Sequence, residues 1–355
     1  MTITPRERVL QAVRHQEPDH VPLFYRDVPD VAARLCRDLV VSSRDELLAK
    51  LDVDFRWVEP PYIGPALVNQ QTEHRRDIWG VEYSWIEAGH GGQWEPVEFP
   101  LEHIEDVAAL ADYPWPKLEW FDFNAVDAQL ERYRDYATMT APGVASPGVL
   151  NTIQSLLGME RAMIDMLVNP DFFHALTERI LEFNLAFIER FYAVAGNRIT
   201  FFRIGEDYGT QRGLLFGKPQ WNEFIRPTLL EMSRLPKRNG SLYYQHTCGS
   251  VRELIPDLIE IGVDVLDPLQ VKAAGMVPSE LKTGFGQRLC FSGGVDEQEL
   301  LPHGTPEQVA CAVRELIDTM SPGGGFFLGP THNFQADIPT ANIVAMYQAA
   351  REYHP

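Results

Sequence analysis

Eight short apolar runs, each ending in polar or glycine residues, constrain the fold of this chain more than any other feature. They occupy residues 21–24, 55–58, 138–143, 200–205, 242–246, 263–267, 289–293 and 326–329. Longer amphipathic stretches separate the runs, so strand-like and helix-like segments alternate. Strands joined by helices pair in parallel through right-handed crossovers, and eight such units can close into a ring. The pattern predicts the α/β class and a (β/α)8 TIM barrel.

The boundaries of the helical segments carry recognisable chemistry. The segments that begin at Thr305 and Ser250 have Gln308 and Glu253 three residues later, which is the spacing of a capping box. We predict a further helix over residues 5–15 that covers the bottom of the barrel. No G-x-G-x-x-G follows the first run, so a dinucleotide site of that type has no support.

Residues 62–118 interrupt the alternation with a segment rich in Trp, Tyr and Pro. We interpret it as an irregular insertion after the second strand. It could line a pocket at the mouth of the barrel, with Trp79, Trp85 and Trp94 stacking on a substrate, or it could pack against the barrel. Because the chain has no linker and no internal repeat, we predict a single barrel domain over residues 1–355.

The charge balance excludes several classes of partner. The 355 residues include 31 Lys and Arg against 50 Asp and Glu, a net charge of −19. Binding to nucleic acid or to an anionic membrane needs basic clusters that are missing here. No stretch reaches the roughly 18 apolar residues of a membrane span, and the first residues lack an apolar leader. We predict a cytoplasmic protein whose partners are small molecules or proteins, with a homodimer among the options.

Several predicted strand ends carry chemically active side chains, and in a barrel the carboxyl ends of the strands converge. The most specific pattern is His246-x-Cys248, because an imidazole beside a thiolate suits zinc. His332 follows a later strand, and Glu206 or Asp207 can add an oxygen ligand. A satisfied histidine beside a buried thiol is the competing interpretation.

The acidic residues have structural interpretations as well. Asp267 stands before a proline and is compatible with a cap. Glu206, its neighbour Asp207 and Asp54 adjoin apolar runs, so they need a cavity, a metal or a cation. Arg203 and Arg56 are available as ion-pair partners.

Three long segments of the chain carry a family resemblance. They begin PRERVLQAVRHQEPDHVPL, NTIQSLLGMERAMIDMLV and YYQHTCGSVRELIPDLIEIGVDVLDPLQ, and a later stretch reads LGPTHNF. The chain resembles the uroporphyrinogen decarboxylase superfamily, and within it the branch of cobalamin-dependent (corrinoid-dependent) methyltransferases. That branch includes methylcobamide:coenzyme M methyltransferases and O-demethylases. The resemblance implies a (β/α)8 barrel in agreement with the alternation of runs.

In the methyltransferase branch the resemblance implies zinc bound by an HxC pair and by a further Cys near the last strand. His246 and Cys248 match the pair, and His332 stands at the position of that Cys. The true decarboxylases instead carry an RQAGRY stretch after the first strand. Here that region reads FYRDVPDVAARL, which retains Arg26 but not the motif.

These observations favour a zinc-dependent methyltransferase that moves a methyl group between a small methylated compound, of methoxy or thiol type, and a corrinoid on a partner protein. Zinc would polarise a methoxy oxygen or hold a thiol as thiolate. Glu206 or Asp207 would be a displaceable fourth ligand or a proton donor. The expected metal ligands are His246, Cys248 and His332, and the expected substrate contacts are Gln211, Asn333 and Asp54.

Two alternatives stay open at this point. One is a metal-independent decarboxylase in which Asp54 or Asp207 stabilises a protonated intermediate while His332 orients the substrate. The other is a barrel that binds a metabolite without converting it.

Overall fold

The computed structural model describes residues 3–68, 74–88, 91–141 and 148–353. Its strands, in chain order, are β1 Phe55–Trp57, β2 Arg75–Arg76, β3 Glu82–Ala88, β4 Gly91–Glu98, β5 Ala137–Thr140, β6 Phe201–Gly205, β7 Leu242–His246, β8 Val265–Leu269, β9 Cys290–Val295 and β10 Phe326–Pro330. Seven of them form one parallel sheet in the order β1-β5-β6-β7-β8-β9-β10. The remaining three form a separate antiparallel sheet in the order β2-β3-β4.

Three helices precede β1, one follows β10, and the others lie between the strands of the parallel sheet. The helices are α1 Pro5–Val13, α2 Pro29–Asp38, α3 Arg44–Lys50, α4 Ala125–Arg132, α5 Val149–Leu157, α6 Met159–Val168, α7 Pro170–Ala195, α8 Lys218–Gln220, α9 Arg226–Arg238, α10 Ile255–Glu260, α11 Pro278–Phe285, α12 Leu300–His303, α13 Pro306–Met320 and α14 Thr340–Glu352. None of the helices in the described ranges combines the length and the apolar character that a membrane crossing requires.

The predicted α/β class with a parallel sheet is confirmed, and seven of the eight apolar runs contain a strand of that sheet. The first run does not form a strand. Leu23 makes only a bridge to Leu328 of β10, while its carbonyl accepts a 3.0 Å hydrogen bond from the Asp54 amide beside β1. The run therefore links the two edge strands without a regular ladder, because Pro22 has no N–H to donate. The end of the third run, residues 142–143, lies outside the described residues.

Apolar side chains from several strands pack together on one face of the parallel sheet. Phe24, Phe55, Phe201 and Phe327 meet there, with ring centres 5.2 Å apart for Phe24 and Phe55 and 6.0 Å apart for Phe201 and Phe327. Helix α1 packs at the amino ends of the strands, where the carbonyl of Ala12 accepts a 2.7 Å hydrogen bond from Gly325. Polar side chains that could bind or react with a ligand are therefore expected at the opposite, carboxyl ends of the strands.

The two predicted capping boxes have different outcomes. Before α13 the box is confirmed: the Gln308 amide donates to the hydroxyl of Thr305, and the Thr305 amide donates to the Gln308 side chain. The Ser250 box is wrong. Its hydroxyl donates to the carbonyl of Ala274 at 2.6 Å, and the chain enters α10 through a 3-10 turn at Arg252–Leu254.

The segment between β1 and β5 holds the antiparallel sheet, although residues 69–73 and 89–90 lie outside the described residues. Trp85 and Trp94 pair across β3 and β4, with ring centres 5.5 Å apart. Trp79 is buried and packs edge-on against Phe183 of α7 at 5.2 Å. One tryptophan thus anchors the segment, and the hairpin carries the other two.

Candidate metal centre

Three neighbouring strands place the residues of the candidate site side by side. His246, the last residue of β7, pairs with Gly205 of β6 on one side and with Asp267 of β8 on the other. Asp207 and Cys248 follow the ends of β6 and β7 by two residues each. The parallel register therefore brings residues that are distant in sequence together at the carboxyl ends of these strands.

Asp207, His246 and Cys248 form a cluster of possible metal ligands, since one donor atom from each lies within 4.8 Å of the others. The Nε2 atom of His246 is 3.6 Å from the Cys248 sulfur and 3.8 Å from an Asp207 oxygen. That Asp207 oxygen also accepts a 2.8 Å hydrogen bond from the Cys248 amide. The Asn151 side chain accepts a 3.2 Å bond from the Asp207 amide, which fixes the loop.

The spacing of these atoms fits zinc. A tetrahedral zinc with a Zn–S bond of about 2.3 Å and a Zn–N bond of about 2.0 Å separates sulfur from nitrogen by about 3.5 Å. The observed separation of the Cys248 sulfur and His246 Nε2 is 3.6 Å. One nitrogen, one sulfur and one oxygen also match the mixed hardness that zinc accepts.

Burial and neighbouring charges control the protonation of the cluster. Burial and the Arg203 guanidinium lower the pKa of His246, which favours the neutral imidazole. Burial and the nearby Asp207 carboxylate raise the pKa of the Cys248 thiol. Burial alone would raise the pKa of Asp267, but Arg26 and His246 outweigh it and hold that pKa well below its usual range.

A cavity of about 720 Å³ is lined by two members of the cluster, Asp207 and His246. Asp207, His246 and Arg203 line one side of it, together with α5 residues such as Asn151. The segment with the antiparallel sheet lines the other side; its cavity residues include Arg75, Trp79, Tyr83 and Trp94. Trp79 and Trp94 thus line the cavity and also pack within the insertion, and Arg75 lies over the Trp94 ring at 4.2 Å. A volume of this size accepts a ligand much larger than a one-carbon donor.

Glu206 is turned away from the cavity. Its side chain is fully buried, where one oxygen accepts a 2.8 Å bond from the Leu150 amide and the other accepts a 2.7 Å bond from the Tyr208 hydroxyl. Burial raises the pKa of Glu206 to about 7. Glu206 therefore connects the end of β6 to the start of α5, whereas its neighbour Asp207 lines the cavity.

His332 does not belong to the three-residue donor cluster, although we predicted it as a ligand. It follows β10 and is close enough to Arg26 and His246 to be affected by their charges. Burial and Arg26 lower the pKa of His332 to about 4, so the ring is neutral. The group of possible ligands that the structure brings together contains Asp207 instead.

The structure does not bring the three predicted substrate contacts to the cavity, as judged from the described residues that line it. Asp54 precedes β1, at the amino end of the sheet, where it pairs with Arg8 at 2.5 Å and accepts a 2.7 Å bond from the Leu23 amide. A buried ion pair explains its position there. Gln211 has an exposed side chain, and Asn333 is half-buried after β10.

Sequence reasoning missed the roles of Asp267 and Asn151. Asp267 is not a cap: it lies within β8 and contacts the imidazole of His246 at 2.8 Å. Asp267 is the last residue of the predicted run 263–267, and this position at a strand end was the available signal. Asn151 carries no such signal, because its contact to Asp207 depends on how α5 packs.

The structure is thus an α/β protein with a parallel sheet and a cluster of possible metal ligands at the carboxyl ends of its strands. Residues 133–353 match the family Uroporphyrinogen decarboxylase (URO-D). The chain belongs to this family, and the resemblance stated from the sequence motifs is confirmed.

Two relatives are methyltransferases by name. A methylated-thiol–coenzyme M methyltransferase of Methanosarcina mazei is 25% identical over 249 residues, which cover 68% of this chain and 62% of that protein. The matched region thus spans less than two thirds of the relative. A solved structure of a methyltransferase from Methanosarcina mazei superposes with a TM-score of 0.67 at 16% identity, over 99% of both chains. At that identity the superposition supports the shared fold.

Proposed function

We propose that this protein is a zinc-dependent methyltransferase that moves a methyl group between a small methylated compound and a corrinoid carried by a partner protein. The observation that carries the proposal is the cluster of Asp207, His246 and Cys248, of which Asp207 and His246 line the 720 Å³ cavity. Three protein ligands and a side that faces a cavity are typical of catalytic rather than structural zinc sites.

The chain's own residues have distinct parts in this proposal. His246, Cys248 and Asp207 hold the metal, and Asn151 orients the loop that carries Asp207. Bound zinc would supply Lewis acidity toward a methylated oxygen, or would stabilise a thiolate. Asp207, as the carboxylate member, is also the ligand best suited to exchange with a substrate atom. His332, a neutral imidazole near the cluster, is available to contact the substrate.

The opposite side of the cavity supports a substrate with an apolar body. Trp79, Tyr83 and Trp94 offer ring surfaces, and Ile78 and Leu67 add aliphatic surface. Such side chains hold a ligand by apolar burial and exclude water from the reacting atoms. A methylated compound of ring size fits this wall, whereas a single methyl donor such as methanethiol would leave most of the cavity filled by solvent.

The proposal also covers the domain organisation, the location in the cell and the side on which the partner protein binds. The whole chain would act as one barrel domain in which the 62–118 insertion supplies the substrate wall. It would work in the cytoplasm, without nucleic acid or membrane, as the net charge of −19 suggests. The corrinoid protein would approach the open side of the cavity.

Two placements weigh against the metal-independent lyase. Asp54, one of its candidate acids, is paired with Arg8 at the amino end of the sheet. Arg26, the remnant of the arginine motif, donates to Asp267 at 3.1 Å and to the carbonyl of Thr331 at 3.1 Å. Neither residue is directed to a substrate carboxylate in the cavity.

Elemental analysis of the purified chain tests the metal. We expect near-stoichiometric zinc in the wild type and in Cys311→Ser, a control at an exposed thiol. Cys248→Ser and Asp207→Ala should lose most of it, and His332→Ala should keep it. Zinc-loaded protein is then given a reduced corrinoid and either methylated thiols or methoxylated ring compounds, and methyl transfer is followed by the corrinoid spectrum.

Each outcome bears on a separate part of the proposal. Absence of zinc from wild-type protein grown with added zinc would overturn the metal-dependent mechanism. Loss of zinc in His332→Ala, with retention in Asp207→Ala, would restore His332 as the third ligand. Zinc binding without transfer to any tested donor or acceptor would favour a barrel that binds a metabolite without converting it.

A further inference from the structure

The cavity beside the candidate metal centre is rich in cationic side chains, although the whole chain carries a net charge of −19. The charged residues among the described residues that line it are Arg75, Arg76, Arg203, Asp77 and Asp207, so three guanidinium groups accompany two carboxylates. A cleft lined mainly by one sign of charge raises the local concentration of ligands of the opposite sign. The lining therefore favours an anionic ligand.

Two of these five side chains are engaged within the 62–118 insertion. Arg76 forms an ion pair with Glu82. The Asp77 carboxylate accepts hydrogen bonds from the amides of Trp79 and Val81, at 2.9 and 3.0 Å. These contacts stabilise the insertion itself, so Arg76 and Asp77 are poor candidates for binding a ligand.

Arg75 and Arg203 are the other two cations of the lining, and they differ in exposure. Arg75 is exposed, with its guanidinium 4.2 Å from the centre of the Trp94 ring, so water weakens its attraction for an anion. Arg203 lies within β6, is only partly accessible, and has its guanidinium 5.8 Å from the centre of the Trp57 ring. A charged contact is stronger where water is largely excluded. Arg203 is therefore the better anion-binding group of the two.

Arg203 is also close to the donor cluster. It pairs in register with Tyr244 of β7, and two residues further along the same strands Gly205 pairs with His246. Residues two apart in a strand point to the same face of the sheet. The positive charge of Arg203 is near enough to lower the pKa of His246. An anion bound to Arg203 would thus lie beside the candidate metal ligands.

Two carboxylates of the protein are near enough to interact with the charge of Arg203. Asp267 is shared with Arg26 at 3.1 Å and with His246 at 2.8 Å. Burial raises the pKa of Glu59, which follows β1, to about 7, so a large part of it is uncharged at neutral pH. A guanidinium has several N–H donors and can bind a protein carboxylate and a ligand at the same time. Contacts of Arg203 within the protein are therefore compatible with ligand binding.

We propose that Arg203 binds an anionic group of the substrate, a carboxylate or a sulfonate, and so makes the cavity select anionic over neutral methylated compounds. That the ligand is a methyl donor rests on the proposed function, whereas the preference for an anion does not. Trp79 and Trp94 line the opposite side of the cavity. A ring-sized substrate would pack against that side and direct its anionic group toward Arg203.

Ligand binding to metal-free protein tests the inference independently of zinc and of turnover. The ligands are para-methylsulfanyl benzoate, the corresponding benzenesulfonate and the neutral para-methylsulfanyl benzamide, compared by titration calorimetry at constant ionic strength. We expect the wild type to bind at least one of the two anions about 10- to 100-fold more tightly than the amide, as a charge-assisted hydrogen bond provides. Comparison of the two anions shows which oxyanion the cavity prefers.

Three variants assign the preference to its residue. Arg203→Met removes the charge and keeps much of the length, so it should bind the anions no more tightly than the amide. Arg203→Lys should retain part of the preference. Arg198→Met is the matched control, because Arg198 lies outside the cavity lining and pairs with Asp127 of α4 at 2.8 Å; it should keep the full preference.

The outcomes separate the inference from the proposed function. A wild type that prefers neither anion over the amide would overturn the inference without need of any variant. A preference that persists in folded Arg203→Met would overturn the role of Arg203. A wild type that selects an anion but binds no zinc would support the inference and overturn the proposed zinc-dependent chemistry.

Discussion

Replacing Glu206 by Gln should change how the stability of this protein depends on pH, while leaving the candidate metal centre unchanged. Glu206 is fully buried between the Leu150 amide and the Tyr208 hydroxyl and does not line the cavity. A glutamine of the same size keeps an oxygen for the Leu150 amide but can carry no charge. The substitution therefore isolates the cost of burying the carboxylate.

The direction and size of the effect follow from the pKa. Burial raises the pKa of Glu206 from 4.5 to about 7, so the folded chain binds this proton more tightly than the unfolded chain. The contribution of Glu206 to stability is therefore most favourable at low pH and is lost as the pH rises through the window between those two values. Between pH 5 and pH 8.5 the loss amounts to about 2–3 kcal/mol of unfolding free energy.

Urea unfolding of both proteins at pH 5 and pH 8.5 measures the effect. The stability of Glu206→Gln minus that of the wild type should rise by about 2–3 kcal/mol between the two pH values. Glu189→Gln, at an exposed position of α7, should show no such rise. A difference that is equal at both pH values would refute the argument from burial. Loss of zinc or of methyl transfer in Glu206→Gln would instead restore the catalytic role expected from the sequence.

Three further outcomes are expected. Arg8→Met, which leaves Asp54 buried without its cation, should lower the unfolding free energy by about 3–5 kcal/mol without loss of zinc; zinc loss from the folded variant would contradict this. Zinc added at about 100 times its dissociation constant should stabilise the metal-free wild type by about 2.7 kcal/mol, and Cys248→Ser far less, as read from unfolding curves. Trp94→Ala, which removes the ring under Arg75, should raise the KM of a ring-containing donor about tenfold while that of methanethiol stays constant; equal effects on both donors would argue against a substrate wall.

The parallel sheet was predictable because its signal is local. Runs of apolar residues buried on both faces are unusual outside such sheets, and seven of the eight formed strands. The exception, residues 21–24, contains Pro22, which interrupts the ladder. Proline in a central strand is a local signal too, and it should have lowered the expectation for this run.

The candidate site was predictable only in part. His246 and Cys248 are two residues apart at the end of one strand, so their proximity follows from the chain itself. The third candidate ligand had to be chosen among Glu206, Asp207 and His332, which follow other strands. Their spacing in the sequence does not show which of them lies nearest to His246 and Cys248. Glu206 and Asp207 are adjacent in sequence, yet one is buried against α5 and the other faces the cavity.

The sequence by itself determined the alternation of strands and helices, the family and the His-x-Cys pair, because each depends on residues close together in the chain or on the chain's overall pattern. Only the tertiary structure decided that Asp207 joins the pair, that Asp54 lies at the amino end of the sheet with Arg8, and that Asp267 lies behind His246. Those relations depend on the register between parallel strands and on helix packing. Both arise from the burial of many side chains at once, which no single motif encodes.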